Sequence, residues 1–162
     1  MSTKGMKMIQ TKEHPQLVAN PFLIYIGIAA ISALLQFLLP LPFISSRMAR
    51  ITGLVVVIVS FLFGLPALIN MLRVKTSPNP NRPATSLILS GPYGFSRNPM
   101  YIGLTLLYAG LVTFLQLPWG LLFLPLVVWL VTAWVIRPEE KYLEGKFGNE
   151  YLEYKRSVRR WI

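Results

Sequence analysis

The residues best suited to bind a polar ligand lie in the stretch Gly-Pro-Tyr-Gly-Phe-Ser-Arg-Asn-Pro-Met-Tyr-Ile-Gly, residues 91–103. Asn98 and Pro99 predict a helix start, because asparagine is a favoured N-cap and proline fits the first helical position. The N–H groups of the first turn, including that of Met100, then lack a partner within the helix and attract carboxylate or phosphate groups. Arg97 adds a guanidinium that binds such groups through two hydrogen bonds. These residues predict an anion site, although ordinary capping beside a membrane-flanking arginine also explains them.

A second set of polar residues follows the last apolar run as Arg137-Pro138-Glu139-Glu140. Carboxylates at the edge of a membrane are costly unless paired, and they are candidates for function. One glutamate can pair with Arg97 or Arg137, and the other can bind a ribose hydroxyl, an ammonium or a sulfonium. The alternative is that Pro138 starts a cytoplasmic helix whose dipole favours Glu139 in its first turn.

Long uncharged runs place both polar sets beside a membrane. Of the 162 residues, 54% are hydrophobic and 14% are charged, whereas soluble domains have about 25% charged residues. Residues 21–44, 51–72 and 98–136 carry no charge, and runs of about 18 or more such residues are typical of transmembrane helices. The third run is too long for one span, and Leu117-Pro118-Trp119-Gly120 predicts a turn near its middle.

We therefore predict an all-α integral membrane protein with four transmembrane helices and a C-terminal amphipathic cytoplasmic helical segment. The spans are expected at about 21–43, 50–72, 99–117 and 120–136, within a membrane domain of residues 21–136. Residues 1–20 form a cytoplasmic N-terminal segment, residues 73–98 a cytoplasmic loop, and residues 137–162 a tail that completes the polar site. Gly148-Asn149 is expected to divide the tail into two helices, with Asn149 capping the second. Because spans three and four form a hairpin, the two polar sets should face each other.

The distribution of lysine and arginine predicts the orientation. With four spans, the N-terminal segment (Lys4, Lys7 and Lys12), the second loop and the tail hold fourteen basic residues, and the first loop holds two. Cytoplasmic loops carry the excess, so both termini should be cytoplasmic, and we expect a bacterial inner membrane. The net charge of +10 is then explained by orientation and anionic lipid, not by nucleic acid. The absence of cysteine and the single histidine, His14, predict no metal site.

Together, the two polar sets resemble the motifs of the isoprenylcysteine carboxyl methyltransferase and phospholipid methyltransferase superfamily. Residues 91–103 are similar to its core motif, and Arg137–Leu143, with the following Phe147–Tyr151 and Tyr154, resemble its second motif. The resemblance extends over about residues 73–162. It implies a helical membrane fold and transfer of a methyl group from S-adenosylmethionine to a lipophilic or small acceptor.

The resemblance also implies roles for individual residues. Glu140 is expected near the reacting centre, where Arg137 would bind an acidic acceptor head. The residues expected to bind the cofactor are Arg97, Asn98, Pro99, Met100, Tyr101, Gly103, Glu139 and Glu140. Many members of the superfamily have histidine at the position of Asn98, and asparagine does not titrate near neutrality, so a binding role is expected there rather than proton transfer.

The sequence leaves the acceptor open among a prenylcysteine carboxylate, a phospholipid amine, a thiol and an isoprenoid acid. We expect it to arrive from the bilayer, with Gly64 and Pro66 allowing a gap between helices, while the cofactor arrives from the cytoplasm. Two other functions remain open. One is an NADPH-dependent membrane reductase of the sterol reductase type, which has a similar tail. The other is a non-enzymatic lipid-binding membrane protein, which leaves the two facing motifs without a role.

Overall fold

The computed structural model describes residues 17–43, 46–77 and 82–162. Within these ranges every regular element is a helix. The predictions that concern Lys4, Lys7, Lys12 and His14, most of the N-terminal segment, and residues 78–81 of the second loop lie outside the described residues.

Two helices are longer than the others, α1 (Pro21–Leu38) and α2 (Ser46–Arg73). The remaining elements are, in chain order, α3 (Pro92–Phe95), α4 (Pro99–Phe114), α5 (Pro118–Leu122), α6 (Leu124–Val131), a π-helical turn (Thr132–Ile136), α7 (Arg137–Phe147) and α8 (Asn149–Ser157).

Helices α1 and α2 are long and apolar enough to cross a membrane. Their most apolar windows have mean hydropathies of 2.0 and 2.5, and only 28% and 17% of those windows are buried. Large apolar side chains such as Phe37 and Leu62 face outwards. The core helix of a soluble protein buries such side chains instead, so the outward apolar surface of these helices fits a lipid environment.

Helices α2 and α4 run antiparallel and approach each other closely along glycines. A Cβ placed on Gly53 would lie 2.7 Å from the carbonyl oxygen of Gly110, and one on Gly103 would lie 2.8 Å from the Cα of Gly64. No side chain fits at these separations. Small residues that let backbones touch are typical of helix pairs in membranes, and this pair carries the beginning of α4, where the first polar set lies.

The apolar core lies between α1, α4 and the segment from α6 to the π turn. Its buried side chains come from α1 (Ile24, Tyr25, Ile28), α4 (Tyr101, Tyr108, Val112), α6 (Val127, Val131) and the π turn (Val135, Ile136). Polar groups within it are bonded, because Tyr108 donates to the carbonyl of Gly120 at 3.0 Å and Tyr25 pairs with Thr105 at 2.8 Å. This core fixes α4 against the segment that leads to the two glutamates.

The hairpin after α4 differs in detail from the predicted spans. Helix α4 ends at Phe114 rather than Leu117, and Gln116 has a φ of 57° in the turn that precedes α5. The predicted fourth helix, 120–136, is broken at Phe123. Proline explains the break, because Pro125 has no N–H for the carbonyl four residues before it.

The structure does not follow the alternative in which Pro138 starts a separate helix. The chain is helical without interruption from Leu124 through the π turn to Phe147. In the π turn the N–H of Arg137 donates to the carbonyl of Thr132, five residues back. A proline within a helix leaves one carbonyl unpaired and crowds the preceding turn, and the wider π turn directly before Pro138 accommodates it. Glu139 and Glu140 are therefore rigidly connected to the core.

The tail divides at Gly148, as the sequence predicted, because Gly148 has a φ of 55° that favours glycine. The N-cap position of α8 is Gly148 itself, with no side-chain capping bond. Asn149 is the first residue of the helix, so its predicted role as the cap is wrong.

A glycine substitution tests the packing of α2 against α4. Gly103→Ala should lower the free energy of unfolding by about 1–3 kcal/mol, since its Cβ would overlap α2 and overpacking has that magnitude. Thermal unfolding of the protein in detergent measures the change. Gly27→Ala is the matched control, because nothing lies within 4 Å of a Cβ at that position of α1. Equal losses from both substitutions would contradict the close approach.

Candidate active site

The segment that precedes α4 is held by the last residues of the chain. The N–H of Arg97 donates to the carbonyl of Arg159 at 2.9 Å, and the carbonyl of Arg160 accepts from Ser96 Oγ at 3.2 Å and from Asn98 Nδ2 at 3.0 Å. We call residues 155–161 the C-terminal strap. Trp161 anchors the strap, because its indole N–H donates to Thr132 Oγ1 and its ring packs against the apolar core.

Asn98 occupies the predicted N-cap position of α4, but its side chain does not cap the helix. Its amide is used to hold the strap, and its own N–H donates to Ser96 Oγ at 3.1 Å. The N–H of Ile102 donates to the carbonyl of Asn98 at 3.1 Å. The N–H groups of Met100 and Tyr101 belong to the first turn of α4, so they have no hydrogen-bond partner within the helix.

Glu140 lies between two arginines. Its Oε1 accepts from Arg97 Nη2 at 2.8 Å and from Arg160 Nε at 3.0 Å, and its Oε2 accepts from Arg160 Nη2 at 2.7 Å. The side chains of Glu140 and Arg97 are each 7% exposed. Burial acts to raise the pKa of Glu140, but the hydrogen bonds and charges of Arg160 and Arg97 outweigh it and hold the pKa below its usual value.

Arg97 makes further contacts with the strap. Its Nη1 donates to the carbonyls of Lys155 at 2.8 Å and Val158 at 3.0 Å. Its Nε is buried and has no hydrogen-bond partner among the described residues. A buried donor without a partner is costly, so this atom is a site where a bound ligand can supply an acceptor.

Glu139 has different surroundings. Its Oε2 accepts from the hydroxyl of Tyr101 at 3.0 Å, and within the described part of the chain it forms no ion pair. Burial, which the hydrogen bond from Tyr101 partly offsets and the charge of Glu140 reinforces, raises the pKa of Glu139 to about 7. The pKa values of the two neighbouring carboxyl groups are thus shifted in opposite directions, because Glu140 is paired with arginines and Glu139 is not.

Both polar sets line one cavity of about 80 Å³, which we call the polar cavity. It brings together the predicted site residues Arg97, Asn98, Pro99, Met100, Tyr101, Glu139 and Glu140. The rest of the wall comes from the chain after α2 and from the tail: Met71, Thr76, Ala84, Ser86, Leu87, Ile88, Tyr93, Leu143, Tyr151 and Tyr154.

Three tyrosines of the wall are held as neutral hydroxyl groups. Burial raises the pKa of Tyr93 and Tyr151 above the usual range, and it raises that of Tyr154 to about 12. Tyr154 donates to the carbonyl of Tyr93 at 2.7 Å, and its ring meets that of Tyr151 edge to face. With Tyr101 they form an aromatic wall beside Glu139, which favours a cationic ligand group.

Two predicted site residues lie away from the polar cavity. Gly103 packs against Gly64 of α2, and its small size is required by that contact. Arg137 is exposed at the surface and does not line the cavity. Any role of theirs at the site stays a prediction.

Sequence reasoning missed Arg160 and the hydroxyl cluster of the second loop. Arg160 resembles any basic residue of a cytoplasmic tail, so nothing in its neighbours predicts that it pairs with Glu140. In the hydroxyl cluster, Thr76 Oγ1 lies 2.8 Å from Thr85 Oγ1 and 3.1 Å from Ser86 Oγ. This cluster holds the loop against the polar cavity, and the only sequence signal for it is the abundance of serine and threonine.

An apolar groove adjoins the polar cavity. It has a volume of about 460 Å³ and lies between the beginning of α1, α2 and α4, with a wall that includes Phe61, Gly64, Leu68 and Leu104. Met100 lines both the groove and the polar cavity. A ligand with an apolar chain and a polar head can therefore extend past the Met100 side chain, with its chain in the groove and its head in the polar cavity.

Comparison with known proteins identifies the family. The model of the phospholipid methyltransferase family matches residues 48–150, which include the close helix pair and most of the polar cavity. The chain belongs to this family. The prediction that the two motifs place it in the isoprenylcysteine and phospholipid methyltransferase superfamily is confirmed.

Two relatives are similar to part of the chain. The protein-S-isoprenylcysteine O-methyltransferase of Saccharomyces cerevisiae is 39% identical over 72 residues, which are 44% of this chain and 30% of the yeast protein. An uncharacterized protein of Haemophilus influenzae is 36% identical over 63 residues, which are 39% of this chain and all of that protein. The chain thus spans less than a third of the yeast enzyme. No solved structure matches.

The ion pairs of Glu140 predict how stability depends on pH. A carboxyl group whose pKa is lowered on folding stabilises the protein above its usual pKa, and this contribution is lost as pH falls below it. Glu140→Gln should remove about 3–5 kcal/mol at neutral pH, the usual loss when a buried pair is broken. Its unfolding temperature should also fall less between about pH 5 and about pH 3 than that of the parent, because the parent loses this contribution as pH falls from the usual carboxyl pKa through the lowered one.

Glu153→Gln is the control for this comparison, because Glu153 is exposed on α8. It should keep the acid sensitivity of the parent. An unchanged unfolding temperature in Glu140→Gln at neutral pH would show that the buried pairs contribute nothing.

Proposed function

We propose that this protein transfers a methyl group from S-adenosylmethionine to a lipophilic or small acceptor at the cytoplasmic face of a membrane. The observation that carries the proposal is the meeting of both motifs at one cavity, where Arg97 pairs with Glu140 and Tyr101 donates to Glu139. Membership of a membrane methyltransferase family supports the reaction type.

The donor set of the polar cavity fits the chemistry of this cofactor. Its amino-acid carboxylate requires a buried donor, and Arg97 Nε is a buried donor without a partner among the described residues. Its cationic groups require a carboxylate or aromatic faces, which Glu139 and the tyrosines of the wall provide. When bound, the cofactor supplies a methyl group already activated on a sulfonium. The protein then has to hold and orient the reactants.

The size of the polar cavity requires part of its wall to move on binding. Pockets that enclose ligands of this size measure about 300–1,000 Å³, and the polar cavity measures about 80 Å³. The side formed by Glu140, Arg97 and the strap is fixed by buried ion pairs. On the opposite side, the described residues Thr76, Thr85 and Ser86 hold the loop through hydroxyl hydrogen bonds, which are weaker than ion pairs with good hydrogen bonds, so we infer that this side opens.

The apolar groove supports access of the acceptor from the bilayer. Its wall is formed mainly by leucine and phenylalanine side chains of α2 and α4, and it includes Gly64, as the sequence predicted for a gap between helices. An acceptor chain that already lies in lipid would enter this groove without crossing water. The polar head would then lie next to Met100, at the boundary with the polar cavity.

The predicted topology completes the proposal. Helices α1, α2, α4 and the broken segment from α5 to the π turn would be the four spans, with both termini on the cytoplasmic side. The basic residues that support this orientation flank the polar cavity, among them Arg73 and Arg97 before α4 and Lys155 and Arg156 in the tail.

Calorimetry with S-adenosylhomocysteine tests the proposed cofactor. The parent should bind it and should not bind NADPH, which is the cofactor expected of a reductase. Leu143→Trp should weaken binding at least tenfold, equivalent to about 1.4 kcal/mol, because Leu143 lines the polar cavity. Lys141→Trp, on the exposed face of the same helix, should bind like the parent. Similar binding by both variants would place the cofactor elsewhere.

Reporter fusions test the topology. A reporter inserted at Trp119 and one fused after Ile162 should lie on opposite sides of the membrane, with the second in the cytoplasm, because basic loops stay on that side. Two reporters on the same side would contradict the four-span arrangement.

A further inference from the structure

Two exposed cations lie side by side where the chain leaves its longest uncharged run. Arg137 follows residues 98–136 directly and is the first residue of α7, and Lys141 is four residues later on the same helix. Both are exposed, and we call them the surface cations. Side chains four residues apart on a helix are neighbours, with Cβ atoms about 5–6 Å apart, so their two positive charges repel each other. An anion bound between them would remove this repulsion.

The carboxylates nearest to the surface cations along α7 have other partners. Glu139 and Glu140 line the polar cavity. Glu144 forms an ion pair with Lys155 of α8. Within the described ranges neither of the surface cations forms an ion pair. An anion that neutralises them must therefore come from outside this part of the chain.

Apolar side chains are exposed on the same helical segment just before the surface cations. Trp129 on α6 is 59% exposed, and Trp134, in the π turn and one turn before Arg137, is 39% exposed. Tryptophan is enriched at the interface between membrane and water. The segment is helical without interruption from Leu124 to Phe147, so an apolar stretch and a cationic stretch follow each other along one axis. A phospholipid has its chains and its phosphate in the same order.

The spacing along the helix fits the thickness of a headgroup layer. At a rise of about 1.5 Å per residue, Lys141 lies about 6 Å beyond Arg137, and Lys146 about 13 Å beyond it. A bilayer about 40–45 Å thick with a core of about 30 Å has about 5–8 Å of headgroups on each side. In the proposed four-span arrangement Arg137 lies at the edge of the core. Lys141 is then within the headgroup layer, and Lys146 is outside it.

We propose that Arg137 and Lys141 bind the phosphate of an anionic phospholipid in the cytoplasmic leaflet, with the lipid chains along the exposed surface at Trp129 and Trp134. This inference goes beyond the proposed reaction and rests only on the membrane arrangement given with it. A guanidinium binds phosphate oxygens through two parallel hydrogen bonds, and an ammonium adds a point charge. An anionic lipid is favoured over a zwitterionic one, whose own ammonium offsets the phosphate charge.

A lipid at this place would hold the helix that carries part of the polar cavity. Glu139 and Glu140 lie in the turn that follows Arg137, and the strap is attached to the π turn through the bond from Trp161 to Thr132. A lipid bound to Arg137 would therefore fix the depth of both glutamates relative to the membrane. It would be a structural partner and not the methyl acceptor, because the surface cations lie outside the polar cavity.

Thermal unfolding in detergent mixed with defined lipids tests the inference. A ligand that binds only the folded state raises the unfolding temperature. Phosphatidylglycerol should therefore raise that of the parent more than phosphatidylcholine does. A basic residue near an anionic surface contributes about fivefold in affinity. The double variant Arg137→Gln with Lys141→Gln should thus need about ten- to thirtyfold more phosphatidylglycerol for half of the shift.

Two single variants support this comparison. Arg137→Lys keeps the charge but loses the paired donors, so it should retain part of the affinity. In phosphatidylcholine alone the double variant should unfold at the temperature of the parent, because both side chains are exposed. Where the double variant is less stable there, Lys141→Gln alone provides the comparison, with an expected loss of about fivefold.

Lys146→Gln combined with Arg156→Gln is the matched control. It removes the same charge from exposed positions of α7 and α8, and it should respond to phosphatidylglycerol like the parent. Inorganic phosphate is the second control. It should give no shift at concentrations where the lipid saturates, since it has no chains to cover the apolar surface at Trp134.

Three outcomes would overturn the inference. Equal stabilisation by the two lipids would show that the site does not select an anionic headgroup. An equal loss in the matched control would show a diffuse attraction to anionic surfaces, and an equal shift with inorganic phosphate would show a phosphate site without a lipid. These measurements use neither cofactor nor acceptor, so such outcomes leave the proposed reaction standing. Failure of the parent to bind S-adenosylhomocysteine would instead overturn that reaction and leave the lipid result unchanged.

Discussion

The site depends on one buried carboxylate held between two arginines. Glu140 joins α7 to Arg97, which precedes α4, and to Arg160 in the strap. Removing charges from water costs several kcal/mol for each ion, and only close pairing with good hydrogen bonds offsets this loss. The three elements therefore hold one another in place, since loss of Glu140 leaves the buried Arg97 without an ion pair, and loss of either arginine removes part of what compensates the buried carboxylate. The same contacts bring the strap carbonyls to Arg97 and Asn98, which closes one side of the polar cavity.

The helix that carries Glu140 also determines the different surroundings of Glu139. Consecutive residues of an α-helix point about 100° apart, since a turn contains 3.6 residues. When Glu140 faces the arginines, Glu139 must face the neighbouring direction, where Tyr101 lies. This direction is preserved only because the helix passes through Pro138 without a break, and the π turn before the proline makes that possible. The π turn thus helps to determine which groups surround the carboxyl group of Glu139.

Local signals in the sequence predicted much of this arrangement, and long-range contacts account for what they missed. The start of α4 at Pro99 and the break at Gly148 depend on backbone preferences of single residues, so they could be predicted. The contact made by Asn98 could not be predicted, because its side-chain amide donates to the carbonyl of Arg160, 62 residues away, instead of capping its own helix. The pairing of Arg160 with Glu140 and the contact of Gly103 with Gly64 likewise depend on how distant helices pack. The continuity through Pro138 depends on a π turn that no simple periodicity indicates.

The close contact between α2 and α4 links the site to the surrounding lipid. Because Gly103 lies against the backbone of α2, the beginning of α4 is held at a short distance from that helix, and Met100 lies one turn before the contact. Met100 then forms part of the wall of both the groove and the cavity. A bulkier residue in place of Gly103 would separate the helices and widen the boundary at Met100. Glycine at this position thus contributes to the site through distance, without contacting the polar cavity itself. Under the proposed function, a water-soluble donor and a lipid-borne acceptor would meet where the polar cavity and the apolar groove share the wall at Met100, and the α2–α4 contact positions that wall.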